Sequence, residues 1–405
     1  MTGIGLIDRS VGYLRSIRPE HRWIAIVVFW ALLFGALIAF DSLFLRDFID
    51  ANWTPVADIS FYRERTQGML DGKWLYCDIP CESPPLIVYF MIPAQLLGGG
   101  YLAYQIWFSI FELLTALALY FALRRYDDFK AFLVSLMFLL IPAGTVETVM
   151  GIQDESIMVF IFIASVLLAI LNRPRWSALA IAIGTWTKVF NALFYPILFM
   201  KTKRWGERGM QLLIILLVSL VVALPYLIVC PEEFLKFPTY YFLGGGPGPT
   251  GGISIWDFLA MGGLEIPGTV FLVATLGALA IAYYIAFKRN MTIVEATLIV
   301  LVAFILAYSR LAIGYYMLPI ALLLFWAAED RKIFLRCFFI YVPLILSVPF
   351  SRNNPNEVPY IQEWWGWIVG FLLSLTALII LFDTMRVALK RKNFVDGTLL
   401  GGGKA

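Results

Sequence analysis

The chain has 405 residues, of which 61% are hydrophobic and only 15% charged, and its formal net charge is +3. A soluble domain carries about 25% charged residues, so this composition excludes a soluble globular protein, and the slight cationic excess gives no basis for a nucleic-acid partner. One histidine and four cysteines, without paired-ligand spacing, offer no zinc pattern.

In chain order, Arg9, Arg15, Arg18 and Arg22 precede an apolar run at 23–40. The run is too long for a signal peptide and lacks a small-residue cleavage site, so it reads as a retained first helix. Further runs able to cross a ~30 Å hydrocarbon core as helices fall at 102–123, 129–146, 156–171, 209–229, 268–287, 292–308, 311–328, 335–350 and 364–385. The block 176–200 holds Lys188 and Asn191 near its middle and Pro196 beyond them, and reads as two short helices that meet at one face. The fold class is therefore an all-α polytopic membrane protein of about twelve transmembrane helices. No internal repeat signals an inverted-repeat transporter.

Lys and Arg gather between alternate spans and at both ends, which places 1–22 and 391–405 in the cytoplasm on either side of a single transmembrane domain, 23–390. The segment 397–405 stands outside the fold argument. The large first loop, 41–100, then lies outside the cytoplasm, as does a glycine-rich stretch from Pro231 to Pro267 that reads as a flexible lid or acceptor gate. The run after Pro84 and Pro85 is too short to span and reads as a surface helix. Cys77 and Cys81 lie close together on the outer side, where a disulfide is permitted, while Cys230 and Cys337 look solitary.

The outer face collects the polar chemistry. The first loop carries Asp41, Asp47, Asp50, Asp58, Glu64, Asp71, Asp78 and Glu82, and carboxylates at a membrane surface suit proton transfer. Asp58, beyond Trp53 and Pro55 and four residues before Tyr62, is the candidate general base; the alternative is that it caps a helix starting at Ile59. Lys188 and Arg310 run against the positive-inside bias, and a charge near the hydrocarbon boundary costs ~2.5 to 3.5 kcal/mol on insertion scales. Each either meets an anionic partner such as a lipid phosphate or snorkels and pairs with an acid such as Glu147 or Asp154. Glu82, Gln153, Asp154 and Glu155 are candidates for binding sugar or acceptor hydroxyls. Tyr62, Trp74, Trp256 and Tyr315 are either stacking surfaces or interface-belt aromatics. Glu112, in mid-span, is either a proton carrier or bonded to a neighbouring helix.

These residues carry a resemblance. Asp58 and Tyr62, followed by GMLDGKWLY and ESPPLIVYFMIP, resemble the first-loop signature of polytopic C-fold glycosyltransferases, and most of all the mannosyltransferases that use polyprenyl-phosphate mannose. GIQDESIMVFIF, GTWTKVFNALFYPILF and YYMLPIALLLFW are similar to later segments of that group. The resemblance implies transfer of a sugar, mannose or another hexose, from a polyprenyl or dolichyl phosphate carrier to a lipid-linked or protein acceptor. It further implies inversion, Asp58 as base and an active site on the outer side of the plasma membrane. Lys188 and Arg310 would hold the donor phosphate; no cofactor is expected, and because some related branches use a divalent metal and others do not, metal-independent chemistry is the reading and a divalent metal the alternative. Cys77, Cys81 and the absence of a late histidine depart from the pattern. The reading from another class is a lipid or lipid-linked-sugar flippase without chemistry of its own.

Overall fold

The computed structural model describes residues 12–48, 57–238, 250–351, 361 and 363–395. Asp50, Trp53, Pro55, Arg352, the centre of the glycine-rich stretch and the segment 397–405 lie outside the described residues. The apolar runs form helices where expected: α1 Pro19–Phe48, α2 Ala57–Leu70, α3 Pro85–Leu96, α4 Tyr101–Leu123, α5 Asp128–Leu139, α6 Pro142–Met150, α7 Glu155–Ile170 and α8 Pro174–Thr185. They continue as α9 Val189–Lys201, α10 Trp205–Val229, α11 Ile255–Met261, α12 Gly268–Lys288, α13 Ile293–Ala307, α14 Ile313–Ala327, α15 Arg331–Phe350 and α16 Gly366–Ala388. A pair of two-residue strands, β1 Gly251–Gly252 and β2 Arg310–Leu311, runs parallel.

Among the described residues six helices, α1, α4, α10, α12, α15 and α16, are each long and apolar enough to cross a membrane, and α5 with α6 makes a seventh if that pair, bent by 48° at Pro142, counts as one span. Several remaining segments of the expected twelve are helices too short to cross unaided. Their shortness has a physical cause. α8 ends at Thr185, α9 opens just after Lys188, α7 opens at Glu155, and α14 opens at Ile313. All four ends meet in one polar layer, and non-helical backbone at membrane depth is tolerated where protein buries it.

The exterior helices show the complementary pattern. α10 exposes Leu212, Leu213, Leu216, Leu217, Leu220 and Val221, a continuous lipid-facing surface, whereas every residue of α14 from Met317 to Ala327 is buried. A helix that is apolar on all sides and buried on all sides belongs at the centre of a bundle. α13 packs beside it, with α7 and α16 around the pair.

Two local expectations are corrected. α1 does not end at Phe40 but continues through Asp41 and Asp47, with Asp41–Leu45 wound as a π-helix. Asp41 is thus not a loop carboxylate: it is buried and receives Arg46 at 2.9 Å and Gln105 Nε2 at 2.6 Å. Gln105 also donates to the Val149 carbonyl at 2.8 Å and Arg46 to that of Met150 at 3.2 Å. The cluster therefore fastens the end of α1 to a second π-helical turn, Val146–Met150.

The second correction concerns cysteine. Cys77 pairs with Cys230, 153 residues away, and Cys81 is a buried thiol. The disulfide ties the first loop to the end of α10, which no spacing within that loop could have revealed. Closing so long a loop restricts the unfolded chain, by up to about 5 kcal/mol in the chain-entropy picture. A C77S/C230S variant is accordingly expected to melt several degrees below the wild type in a detergent thermal-stability assay; an unchanged melting temperature would show that the bridge contributes little.

Candidate active site

The polar layer is built from four short stretches. In the first turn of α2, Asp58 is half-buried and its carboxylate shares a hydrogen bond with the Gln153 side chain. Gln153 follows Ile152, which is buried with φ at 49°. A β-branched residue in the left-handed region is a true conformational outlier, and such strain gathers at functional sites. The kink ends the π-helical turn, lets the Gln153 amide N–H donate to the Glu147 carbonyl at 2.9 Å, and starts α7 at Glu155.

At that start, Asp154 and Glu155 both engage Lys188, at 2.6 and 2.8 Å from its Nζ. Lys188 stands in the break between α8 and α9, in extended backbone, its amide N–H bonded to the Gly184 carbonyl at 2.7 Å. From the far side, Tyr315 places its ring 5.8 Å from the Lys188 ammonium. Gly314 lies so close to Glu155 that an added Cβ would fall 2.3 Å from Glu155 Cγ. Distant stretches of the chain thus converge on one ion cluster.

Burial, more than the neighbouring charges, sets the state of Asp58. Burial raises its carboxyl above the usual 3.8, and the Asp154 charge raises it further. The Gln153 hydrogen bond and the charges of Lys188 and Arg65 pull the other way without overcoming the rise. A carboxyl poised above its ordinary value is suited to accept a proton from a substrate hydroxyl. Arg65 was not legible as a site residue. It sits two turns along α2 from Asp58, and the i, i+4, i+7 spacing of Asp58, Tyr62 and Arg65 on one helix face was the signal that could have found it.

The other anticipated residues are placed as follows. Tyr62 is buried, its ring packed 5.8 Å from that of Tyr104 and 5.9 Å from that of Phe108. Glu82 is exposed and receives Arg65 at 2.8 Å. Trp256 donates its indole N–H to the Leu306 carbonyl at 3.1 Å and packs on Phe271, in surroundings distinct from those of Lys188. Glu112 is buried in α4 and accepts from Thr148 Oγ1 at 3.2 Å, which fits the bonded reading of that residue.

Arg310 lies in the short connection between α13 and α14. It forms β2 with Leu311, paired to Gly251 and Gly252. The described end of the glycine-rich stretch is correspondingly fastened rather than loose. Gly251 N–H donates to the Ser309 carbonyl at 2.9 Å, Ser254 Oγ donates to the same carbonyl at 2.7 Å, and Thr250 Oγ1 donates to the buried Asp257 at 2.8 Å. Gly252 has φ at 68°, and a Cβ there would lie 1.9 Å from the Leu311 carbonyl oxygen. Gly252→Ala is therefore expected to break the pairing that sets Arg310, lowering stability by a few kcal/mol and transfer with it. Gly263→Ala is the control: φ is 94° but nothing lies near, so only the strain of about 1 kcal/mol is expected. Thermal stability and turnover of the two variants, measured side by side, check this.

Among the described residues no group of three or more His, Cys, Asp or Glu side chains is placed to hold a metal ion. The sequence model of Glycosyltransferase family 87 matches residues 83–312. No curated protein matches the chain in sequence. Among solved structures, ArnT from Cupriavidus metallidurans, crystallised bound to undecaprenyl phosphate, is similar at 16% identity and a TM-score of 0.48, over 89% of this chain and 77% of its own.

Proposed function

Given that the chain belongs to glycosyltransferase family 87, we propose that it moves a hexose, mannose in the first instance, from a polyprenyl or dolichyl phosphate carrier to a lipid-linked or protein acceptor. The observation that carries this reading is the half-buried Asp58 with raised proton affinity beside the Gln153, Asp154 and Lys188 cluster. A lipid phosphate is already a leaving group, so the chemistry needs one positioned base and a cationic place for the departing charge.

In this mechanism the acceptor hydroxyl gives its proton to Asp58 while its oxygen attacks the anomeric carbon from the face opposite the phosphate. The bond from that carbon to the phosphate oxygen breaks with its electron pair, configuration inverts, and the phosphate leaves against Lys188 and Arg310. Asp154 and Glu155 hold the Lys188 ammonium in place, and together with Gln153 they face the hydroxyls of the sugar. Of the candidate stacking surfaces Tyr62, Tyr315 and Trp256, Tyr315 has the strongest support because it lies against Lys188, whereas Tyr62 packs on Tyr104 and Phe108 and Trp256 lies apart from that cluster. Glu82 enters through Arg65, which it holds. The reaction is taken as cofactor-free, with Lys188 and Arg310 as the cations that meet the departing phosphate; retention of full activity after exhaustive chelation is the expected check.

Sidedness belongs to the same proposal. Cationic loops argue for cytoplasmic termini, and a disulfide that ties the first loop, which carries Asp58, to the end of α10 suits an oxidising exterior, so the active site faces out from the plasma membrane. Transfer of radiolabelled mannose from a short-chain polyprenyl-phosphate mannose to membrane lipid extract, by purified wild type and Asp58→Asn at matched folding, tests the reading. Loss of transfer in the variant alone supports it, equal transfer removes Asp58 from the mechanism, and no transfer from any carrier sugar removes the donor class.

A further inference from the structure

α7 and α8 run antiparallel between two ends of the bundle. One end is the Lys188 cluster; the other, about 24 Å away along the 16 residues of α7 at 1.5 Å per residue, opens into a cavity of about 780 Å³. Its wall carries Arg173, Arg175, Lys201, Lys203 and Arg204, against a single acid, Glu207. Glu207 is already claimed, by a two-bond grip from Arg175 at 2.7 and 2.9 Å, and Arg204 shares its charge. Lys201 donates to the neutral Asn290 at 3.1 Å and lies within reach of the Glu295 charge. Arg173 and Lys203 have no acidic partner among the described residues. Five cations therefore surround one concavity with most of their charge unbalanced, which mere anchoring at a membrane surface does not require of a pocket.

The surroundings identify the occupant. Trp176 and Trp205 are more than half exposed at the rim, and α10 starts at Trp205 and leads straight into its lipid-facing leucines. Exposed tryptophans at the start of a lipid-facing helix mark headgroup depth, and basic pockets between membrane helices bind anionic headgroups.

We propose that this cavity binds the phosphate headgroup of an anionic membrane lipid, at the end of the bundle opposite Asp58. Lys201, Lys203 and the guanidinium forks of Arg173 and Arg204 clasp the phosphate, Arg175 staying on Glu207, while the acyl chains lie along the exposed leucines of α10. The lipid secures the connections between α7 and α8 and between α9 and α10, and through those helices holds the distal Lys188 break.

The test uses the full-length protein purified in detergent, with phosphatidylglycerol, phosphatidylcholine and inorganic phosphate as probes, and native mass spectrometry as readout. Wild type is expected to retain phosphatidylglycerol in preference to phosphatidylcholine. R173Q/R204Q is expected to weaken phosphatidylglycerol binding roughly 10- to 30-fold, whereas R173K/R204K keeps it. R331Q/K332Q, which removes two cations from another turn, also keeps it. Equal retention by R173Q/R204Q and wild type, with both eluting as the same monodisperse species, overturns the proposal. So does displacement of the lipid by millimolar inorganic phosphate, which would make the cavity a site for a soluble anion. Since no readout depends on sugar transfer, the result stands apart from the fate of the Asp58 mechanism.

Discussion

Asp58→Asn is expected to lower sugar transfer by at least a hundredfold, in the range of about 10²–10⁴ that a positioned general base contributes, while leaving the protein as stable as the wild type or more so at neutral pH. The second half of that expectation follows from the sign of the shift. Burial is the largest influence on Asp58 and pushes its carboxyl above the usual 3.8, so the folded state binds this proton more tightly than the unfolded chain does. Stability drawn from Asp58 is then fully present below about pH 3.8 and is lost as pH rises through the folded value. At pH 7 the ionised carboxylate is a liability that asparagine removes. The melting temperature of Asp58→Asn relative to wild type should therefore climb between pH 4 and pH 7. The wild-type rate should climb with pH through a midpoint above 3.8, a limb that the variant lacks. A variant that is inactive and also unstable at every pH would mean that Asp58 holds the fold and would remove the base assignment.

The helices were legible because a ~30 Å apolar thickness imposes a length and composition that single residues cannot disguise. Even the break at Lys188 could be read, from a charge and an amide in an otherwise apolar block. Asp58, Lys188, Asp154 and Glu155 could be picked out because each is costly where it lies. Their convergence was a different matter. The Lys188 pairing joins residues 33 apart in sequence, the Gly314 contact with Glu155 spans far more, and the Cys77–Cys230 bridge spans 153. Such separations leave no periodic trace. The β1–β2 pairing was hidden for the opposite reason: glycine density reads as mobility, yet Gly252 is glycine because the Leu311 carbonyl lies against it. The ArgAsp pair inside α1 was missed because Asp41 and Arg46 look like loop charges until the helix is seen to run past Phe40.

Lys188→Met should be the most destabilising single change in the site. It leaves Asp154 and Glu155, both buried, without the ammonium that they share, and breaking a buried ion pair from one side costs about 3–5 kcal/mol because a charge is left unpaired. The triple change K188M/D154N/E155Q removes the orphaned charges with the cation, and is expected to recover most of that loss, since replacing a whole buried ionic group is often close to neutral. Transfer should not recover with it. If Lys188 receives the departing phosphate, the triple variant folds and melts near the wild-type temperature but turns over at a small fraction of its rate. Lys188→Arg is the intermediate case: it keeps the charge, but the guanidinium must fit between the Tyr315 ring and the carboxylates, with Gly314 packed tightly behind Glu155, so partial activity at reduced stability is expected. Stability of Lys188→Met equal to that of the wild type would mean that the cluster does not carry the polar layer. A triple variant that regained both fold and transfer would confine Lys188 to holding the helix ends together and leave the phosphate to Arg310, whose place depends on Gly252.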